Sequence, residues 1–574
     1  MSPPAPGRIR RLGIGCGLAA LFLVLGFWPL RAAVASGAAA GAGPDVAVTL
    51  WGMWWYAHET VAAAWWGSSK LANFPDGVLG GVLAPLTTTV WQALDAVLGP
   101  ESATTGVGGL TLAVWCASVA WLARLTGLRP ALSVFAGVLA LEGRYLVFAL
   151  GETSVVGITA LPVLWSVAAL LSWHRDRRPA WLALYALSAA ATGLEYPYLV
   201  GLPPLVAIAF AVHGRSRAAA VAVGIGVLLA VIALVATSRG QQGSFGSLAQ
   251  QLTVTVGRWS WPRGEHEFAR ALPAHLVLPD AVVWSTSATS STQATGRDYL
   301  GLPLLLFAAL GVALRPRRTW PFALLAATGI ALATGSEWFG LPAPFALLNA
   351  VADRVVRVLT QPTRFLVLSS ACLPILAAHG LSALGERRLI VAAGAMVLLA
   401  DAFAFGGLSL KLPTMELPSA TCVAALREQP GGAVALWPWD GLDGGEASIQ
   451  QREWQLLHGH PSPGRGVGSW TLLGTVPGSR QLAKLGLEQA VFGERPVEPG
   501  RLAALGYGWV VADLSAGDWV GATARASLGE PAVTCEGAEV YVLSPQMTVP
   551  TPYRVTLRPP RAWHALERPS LRRF

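Results

Sequence analysis

The chain has 574 residues, of which 53% are hydrophobic and 13% charged, and its mean hydropathy is +0.51. Apolar runs of about 20 residues recur along it and match a hydrocarbon core about 30 Å thick, so we predict a polytopic membrane protein. The formal net charge of +9 does not indicate a nucleic-acid partner, because the basic clusters stand in short gaps between apolar runs, where they orient a membrane protein. These clusters are at residues 8–11, 174–178, 213–217, 315–318 and 386–388.

The N-terminal segment resembles a secretory signal. Arg8, Arg10 and Arg11 precede an apolar run that ends near Leu30, and small residues follow it. We interpret this segment as an uncleaved first span, with cleavage as the alternative.

Placing the basic clusters in the cytoplasm fixes the orientation of the spans. Counting crossings back from the cluster at 174–178 puts both ends of residues 79–98 outside, although this segment is long enough to cross. We therefore predict that it is re-entrant or lies at the interface, that the N-terminus is cytoplasmic, and that eleven other segments cross the membrane. The predicted spans are 12–30, 104–124, 131–149, 153–172, 180–195, 197–213, 218–237, 299–315, 320–335, 364–385 and 388–407.

The first outer loop, residues 31–103, is rich in tryptophan. On a helix its tryptophans share an arc of about 140°, and tryptophan favours the membrane interface, so we predict a helix lying along the outer surface. The arc contains Trp51, Trp54, Trp55, Trp65 and Trp66.

Two polar residues of this loop are candidate substrate-binding residues. His58 projects into the tryptophan arc, and its alternative role is that of an ordinary interfacial side chain. Asp76 lies in the sequence NFPDG, which is a strong turn signal, so its alternative role is to reverse the chain.

Other ionisable residues are predicted at the outer ends of spans. Glu152 follows the third span and would be the second acid of an outer cavity. Glu195 lies at an outer boundary, where it is either substrate-binding or part of an aromatic belt. Arg144 lies inside the third span, where it either contacts a donor phosphate or pairs with Glu142, Glu152 or Glu195.

Hydropathy falls after residue 407, and residues 408–548 are predicted to form a small extracytoplasmic α/β domain. Strand patterns occur at 431–439, 507–514 and 535–543, and amphipathic helix patterns at 446–460 and 479–493.

The same domain holds two cysteines, Cys422 and Cys535, which could form a disulfide in an oxidising compartment. The basic, Pro/Arg-rich tail at 549–574 is expected to be poorly ordered.

Several short motifs together resemble the GT-C superfamily of membrane glycosyltransferases, in particular its poorly characterised bacterial branch. They are the first-loop acid in GPDVAVTLW, the tryptophan-rich helix, the turn NFPDG, the span entry TQPTRFLVL, and AVALWPWDG, LLHGHPSPG and LAALGYGWVVADL of the outer domain. The resemblance covers nearly the whole chain. It implies a mostly α polytopic fold in which residues 1–407 form a GT-C-like transmembrane domain.

The resemblance also implies an activity. A GT-C enzyme transfers a sugar from a polyprenyl-phosphate donor to a glycan, lipid or protein acceptor at the outer face of the membrane, here the bacterial cytoplasmic (inner) membrane. Asp45 matches the superfamily's first-loop acid and would act as general base, with Glu152 as a second catalytic acid. Arg144 and Arg364 would bind the donor phosphate, although Arg364 is equally explained as an interfacial anchor. The sequence indicates no metal site, and the need for a divalent cation is left open.

Two other functions stay open. A transporter or flippase of lipid-linked material would need polar groups along a path through the spans, whereas the ionisable groups here favour the outer half. A GT-C-shaped envelope-assembly protein without catalysis is favoured by Pro44 and Val46, which flank Asp45 where many members carry a second acid.

Overall fold

The chain divides into two compact units. In the computed structural model, the helical unit comprises Met1–Ser69, Leu79–Leu417 and Gly466–Gly474, and the α/β unit comprises Lys70–Val78, Pro418–Arg465 and Thr475–Phe574. The structure describes residues 6–41, 44–58, 68–69, 78–79, 85–152, 161–195, 202–214, 224, 228, 276–277, 299–335, 337–338, 341–342, 344–345, 362–385, 388–415, 420–429, 432–437, 454–460, 474–475, 499–504, 506–535 and 537–543.

The helical unit is built from helices with little sheet. Its described helices are α1 (Pro6–Phe27), α2 (Arg31–Ser36), α3 (Pro44–His58), α4 (Pro85–Leu98), α5 (Pro100–Leu125), α6 (Pro130–Leu139), α7 (Arg144–Glu152), α8 (Leu161–Asp176), α9 (Pro179–Glu195), α10 (Leu202–Gly214), α11 (Leu302–Leu314), α12 (Pro316–Ala333), α13 (Leu366–Ala383) and α14 (Arg388–Ala404). Short 3₁₀ turns at Pro362–Phe365 and Gly407–Ser409 precede α13 and follow α14. The α/β unit adds α15 (Thr421–Ala424), α16 (Pro499–Ala504) and α17 (Asp518–Leu528), with 3₁₀ turns at Ala425–Glu428 and Leu514–Ala516.

Most of the described strands are only two residues long. In chain order they are β1 (Ala39–Ala40), β2 (Ser68–Ser69), β3 (Val78–Leu79), β4 (Glu337–Trp338), β5 (Leu341–Pro342), β6 (Thr414–Met415), β7 (Ala433–Trp437), β8 (Gly474–Thr475), β9 (Tyr507–Asp513), β10 (Val533–Cys535) and β11 (Ala538–Val542). In the helical unit β1 pairs with β6 and β4 pairs with β5, both antiparallel.

Proline marks the start of many of these helices. Pro100, Pro130 and Pro316 each stand at the first helical position, where the N–H that proline lacks would have no partner within the helix. Between α4 and α5 the chain turns at Gly99, whose φ of 80° lies in the left-handed region that favours glycine. The boundaries of these helices are therefore encoded locally.

Glycine allows the closest helix contacts of this unit. A Cβ added to Gly311 of α11 would lie 2.1 Å from the carbonyl oxygen of Leu376, and one added to Gly380 of α13 would lie 2.1 Å from that of Phe307. The backbones of α11 and α13 touch because neither glycine has a side chain, which is how small residues pack helices in membranes.

Two described helices, Pro100–Leu125 and the segment Thr363–Ala383, are long and apolar enough to cross a membrane. The bent pair Pro130–Leu139 and Arg144–Leu150 makes a third if it is one broken span, with an angle of 53° between its halves. Ile14–Phe27 and Leu302–Leu314 are apolar but shorter.

The predicted spans correspond in position to helices, with one correction. The third span, predicted as one helix over 131–149, is broken into α6 and α7 at residues 140–143, where Glu142 and Gly143 interrupt the apolar run. The span predicted at 218–237 lies almost entirely outside the described residues, and the count of eleven stays a prediction.

A four-stranded sheet forms the core of the α/β unit, in the order β10-β11-β9-β7. β7 and β9 are parallel, and the other pairs are antiparallel. Ala433, Ala435 and Trp437 face one core and Val434 and Leu436 face the other, so β7 is buried on both sides. The three predicted strands are confirmed, whereas the helix predicted at 479–493 and the tail at 549–574 lie outside the described residues.

A disulfide joins Cys422 of α15 to Cys535 of β10, with a sequence separation of 113 residues. Cys422 packs on the second core of the sheet together with Val434 and Trp509. The crosslink therefore ties the start of this unit to its last described hairpin.

Candidate functional site

Helix α3 carries Asp45 in its first turn. Pro44 begins the helix, so the acid belongs to the helix itself. A carboxylate in a first turn is favoured because the N–H groups there carry partial positive charge. The orientation of the Asp45 side chain lies outside what the structure describes.

The tryptophans of α3 are buried in protein, whereas we predicted that this helix lies along the outer surface with its tryptophans at the membrane interface. Trp51, Trp54 and Trp55 are 1%, 3% and 2% exposed, and the rings of Trp51 and Trp55 stack with their centroids 6.5 Å apart. The arc therefore packs against protein, because these large rings bury more apolar surface among the neighbouring helices. Trp65 and Trp66 lie outside the described residues.

The structure does not describe the side chains of three predicted site residues. His58 is the last residue of α3 and Glu152 the last of α7, and the structure describes only their backbone. Asp76 lies outside the described residues altogether. Their roles stay predictions.

Helix α7 brings together the elements on which the site depends. It begins at Arg144, ends at Glu152, and contacts both α3 and α13. The 3₁₀ turn that carries Arg364 continues directly into α13. Helix α3, which carries Asp45, and helix α13, which follows the turn bearing Arg364, are thus both packing neighbours of α7 within the helical unit.

Arg144 is held by the segment that follows α14. Its Nε donates a short hydrogen bond to the carbonyl oxygen of Phe405, and its backbone N–H donates to the carbonyl oxygen of Tyr299 over 3.0 Å. Its guanidinium carbon lies 5.8 Å from the centroid of the Tyr299 ring, within range of a cation–π contact. Arg144 is partly exposed.

Beneath Arg144, the break between α6 and α7 contains the buried acid Glu142. A Cβ added to Gly301 would lie 2.7 Å from Oε1 of Glu142 and 3.1 Å from Oδ2 of Asp401, so both carboxyls converge on this glycine. The Tyr299 hydroxyl donates to both oxygens of Asp401, over 2.8 and 2.9 Å. The sequence analysis missed Asp401 and Tyr299, although a single acid inside the apolar run 388–404 was a signal that could have identified Asp401.

Glu195 has a defined contact that the sequence did not suggest. Its carboxylate accepts hydrogen bonds from the backbone N–H of Leu86 over 2.5 Å, from that of Thr87 over 3.3 Å, and from the Thr87 hydroxyl over 2.7 Å. These amides belong to the first turn of α4, where N–H groups have no partner within the helix. Glu195, at the end of α9, therefore caps α4, which lies within the first outer loop.

Arg364 is buried, with 4% of its surface exposed. The neighbouring Phe365 packs edge-on against Phe345, with the ring centroids 6.2 Å apart. An interfacial anchor that extends into the headgroup layer would be exposed, so the burial of Arg364 does not fit that alternative.

Within the described ranges, no group of three or more His, Cys, Asp or Glu side chains is placed to hold a metal ion. This statement does not cover Asp45, Asp76 or Glu152, whose side chains are not described.

In the α/β unit, the histidines of LLHGHPSPG have structural contacts. Nδ1 of His458 accepts a hydrogen bond from the His460 backbone N–H over 3.0 Å, and the His460 ring lies 4.8 Å from that of Trp509. Burial, with smaller contributions from the charges of His460 and Arg427, lowers the pKa of His458 to about 3. His458 is therefore neutral at physiological pH.

No family model and no curated protein sequence matches the chain. Among solved structures, a cryo-EM structure of the arabinofuranosyltransferase AftD from Mycobacteria matches 93% of the chain with a TM-score of 0.53 and 17% identity. A second AftD structure, of a point mutant, matches 93% with a TM-score of 0.52 and 17% identity. The chain spans 40% and 41% of the length of these two proteins. At this identity the similarity shows the fold alone, and the chain has a GT-C-like fold.

Proposed function

We propose that this GT-C-fold chain is an integral membrane glycosyltransferase that moves a sugar from a polyprenyl-phosphate donor to an acceptor on the outer face of the cytoplasmic membrane. The observation that supports the proposal is the position of α7, which carries Arg144 and Glu152 and packs against α3, the helix of Asp45, and against α13, the helix that follows Arg364. AftD, which has a similar fold, is an arabinofuranosyltransferase, and a pentose or a hexose is the expected sugar class.

In the proposed reaction, Asp45 takes the proton of the acceptor hydroxyl as its oxygen attacks the anomeric carbon of the donor sugar. The bond between that carbon and the phosphate oxygen breaks, and the polyprenyl phosphate leaves with the bonding electrons. Attack opposite the leaving group inverts the anomeric configuration.

The negative charge that develops on the leaving phosphate needs a positive group. The guanidinium of the partly exposed Arg144 would supply it, with Arg364 as a second contact. Glu152 would be the second acid of the same cavity, either binding the sugar or helping to hold a divalent cation.

The disulfide supports the proposed orientation. Disulfides persist in oxidising compartments, so the bond between Cys422 and Cys535 favours an extracytoplasmic α/β unit. Together with short basic turns on the cytoplasmic side, this supports an N-terminus inside and a C-terminal unit outside.

The proposal is tested by measuring donor consumption with purified full-length protein and a panel of polyprenyl-phosphate sugars. We expect turnover with one donor class, and we expect Asp45→Asn to lower kcat by about 100-fold or more, as loss of a general base does. Asp176→Asn is the control, because this acid lies at the end of α8 in the predicted cytoplasmic turn. Parallel reactions with EDTA test the divalent cation.

Two outcomes would count against the proposal. Equal turnover by the wild type and Asp45→Asn removes Asp45 as the base. Absence of turnover with every donor favours a non-catalytic assembly protein, the function suggested by the missing second acid beside Asp45.

A further inference from the structure

The break between α6 and α7 holds an acid pair that the proposed reaction does not use. Glu142 is fully buried and Asp401 is 9% exposed, and their carboxyl groups lie within hydrogen-bond reach of each other. Both converge on Gly301, which has a φ of 94° and leaves room for them because it lacks a side chain. Two acids are thus brought together from chain segments that are far apart in sequence.

The partners of the two carboxyl groups differ. Both carboxyl oxygens of Asp401 accept from the Tyr299 hydroxyl. Neither carboxyl oxygen of Glu142 accepts a hydrogen bond from a donor in the part of the chain that the structure describes. Among the described residues, the guanidinium of Arg144 is a charged group close to this cluster, because it lies over the ring of Tyr299. Two ionised carboxylates in contact inside an apolar unit repel each other strongly, and such pairs hold a proton between them.

We propose that Glu142 and Asp401 share one proton and that this pair positions Arg144. The neutral Glu142 carboxyl donates its O–H to the Asp401 carboxylate, which also accepts from Tyr299. The second half of this inference rests on the proposed function, in which Arg144 binds the donor phosphate.

Hydrogen bonds connect the acid pair to Arg144 by two routes. On one route, Asp401 binds the Tyr299 hydroxyl, and the Tyr299 carbonyl oxygen accepts from the N–H of Arg144. On the other, the backbone carbonyl oxygen of Asp401 accepts from the N–H of Phe405 over 2.7 Å, and Phe405 accepts from Nε of Arg144.

The backbone of Glu142 is also hydrogen-bonded to the segment that follows α14. Its carbonyl oxygen accepts from the N–H of Gly407 over 2.9 Å, which ties the helix break to the turn after α14. A Cβ added to Gly407 would lie 2.4 Å from the carbonyl oxygen of Leu141. Holding the two carboxyls together therefore fixes both segments that hold Arg144.

The shared proton is tested by thermal unfolding of the detergent-solubilised full-length protein. Glutamine keeps the shape of the neutral acid and can donate from its amide, so Glu142→Gln is expected to keep the wild-type apparent Tm. Glu195→Gln is the matched control, because Glu195 is equally buried but accepts three hydrogen bonds, and it is expected to lower Tm by several degrees. If Glu142→Gln lowers Tm as much as Glu195→Gln, the shared proton is ruled out.

The positioning role is tested by a double-mutant cycle on the KM for the donor. Loss of a charge-assisted hydrogen bond changes affinity by on the order of tenfold, so Glu142→Ala should raise the KM for the donor by up to that factor, and Glu142→Gln should restore it. In an Arg144→Ala background Glu142→Ala should have no further effect on KM. Additive effects would overturn the positioning role.

If Glu142→Ala does not fold, Tyr299→Phe serves in the same cycle, because it removes the hydroxyl that binds Asp401 and keeps the ring beside Arg144. Failure of the proposed function can be distinguished from failure of the shared proton. Absence of turnover with every donor rejects the proposed function and the positioning role with it, whereas the unfolding comparison decides the shared proton by itself.

Discussion

The hydrogen bonds by which Glu195 caps α4 predict how much stability the start of this helix loses when the carboxylate is removed. Three donors point at one buried carboxylate: the N–H groups of Leu86 and Thr87 and the Thr87 hydroxyl. Glutamine at position 195 would remove the negative charge and turn an NH₂ group towards donors, which leaves at least one of them without an acceptor. Hydrogen bonds to charged groups contribute about 1.5–3 kcal/mol each, so Glu195→Gln should destabilise the start of α4 by about 3 kcal/mol.

Hydrogen exchange of the peptide covering residues 85–98 measures this loss directly. An energy of about 3 kcal/mol corresponds to protection lowered on the order of 100-fold. Thr87→Val, which removes the hydroxyl and keeps both N–H contacts, should cost about 1 kcal/mol and lower protection about fivefold. Val97→Ala is the control on the same helix, because Val97 is 80% exposed. Unchanged exchange in Glu195→Gln would refute the cap.

Two further predictions concern packing and pH. Gly311→Ala places a Cβ 2.1 Å from the Leu376 carbonyl oxygen and should cost about 1–3 kcal/mol by forcing α11 from α13, seen as a lower apparent Tm. Gly15→Ala, with nothing within 4 Å, should not lower Tm, and equal shifts in the two variants would contradict this packing. The pKa of His458 is lowered to about 3, so between pH 6.5 and 3 the unfolded chain binds a proton that the folded α/β unit excludes. The free energy of unfolding therefore decreases as the pH is lowered, by up to about 1.4 kcal/mol per pH unit. His458→Asn should flatten the acid dependence of hydrogen exchange in residues 507–513, and an unchanged slope would show that His458 is not its source.

The sequence alone determined the features that depend on local chemistry. Apolar run lengths located the helices of the helical unit, and proline and glycine marked where they begin and turn, because both act through the backbone of a few adjacent residues. The strands at 433–437 and 507–513 followed from short apolar patterns in the same way. The resemblance of short motifs to the GT-C superfamily was enough to predict the fold.

The tertiary structure decided which faces and groups meet. Helical periodicity showed that Trp51, Trp54 and Trp55 share one face of the helix, and in the structure this face is buried in protein. The periodicity of a sequence defines which residues share a face, but it does not determine what that face packs against.

Contacts between residues far apart in the chain could not be predicted from the sequence either. Glu195 accepts a hydrogen bond from Leu86, which lies 109 residues earlier, and Glu142 meets an acid from the last described helix of the helical unit. Such pairings cannot be predicted from one sequence, because they depend on how separate helices pack against each other. The chain encodes its helices locally, and the packing of those helices determines which charged groups share one site.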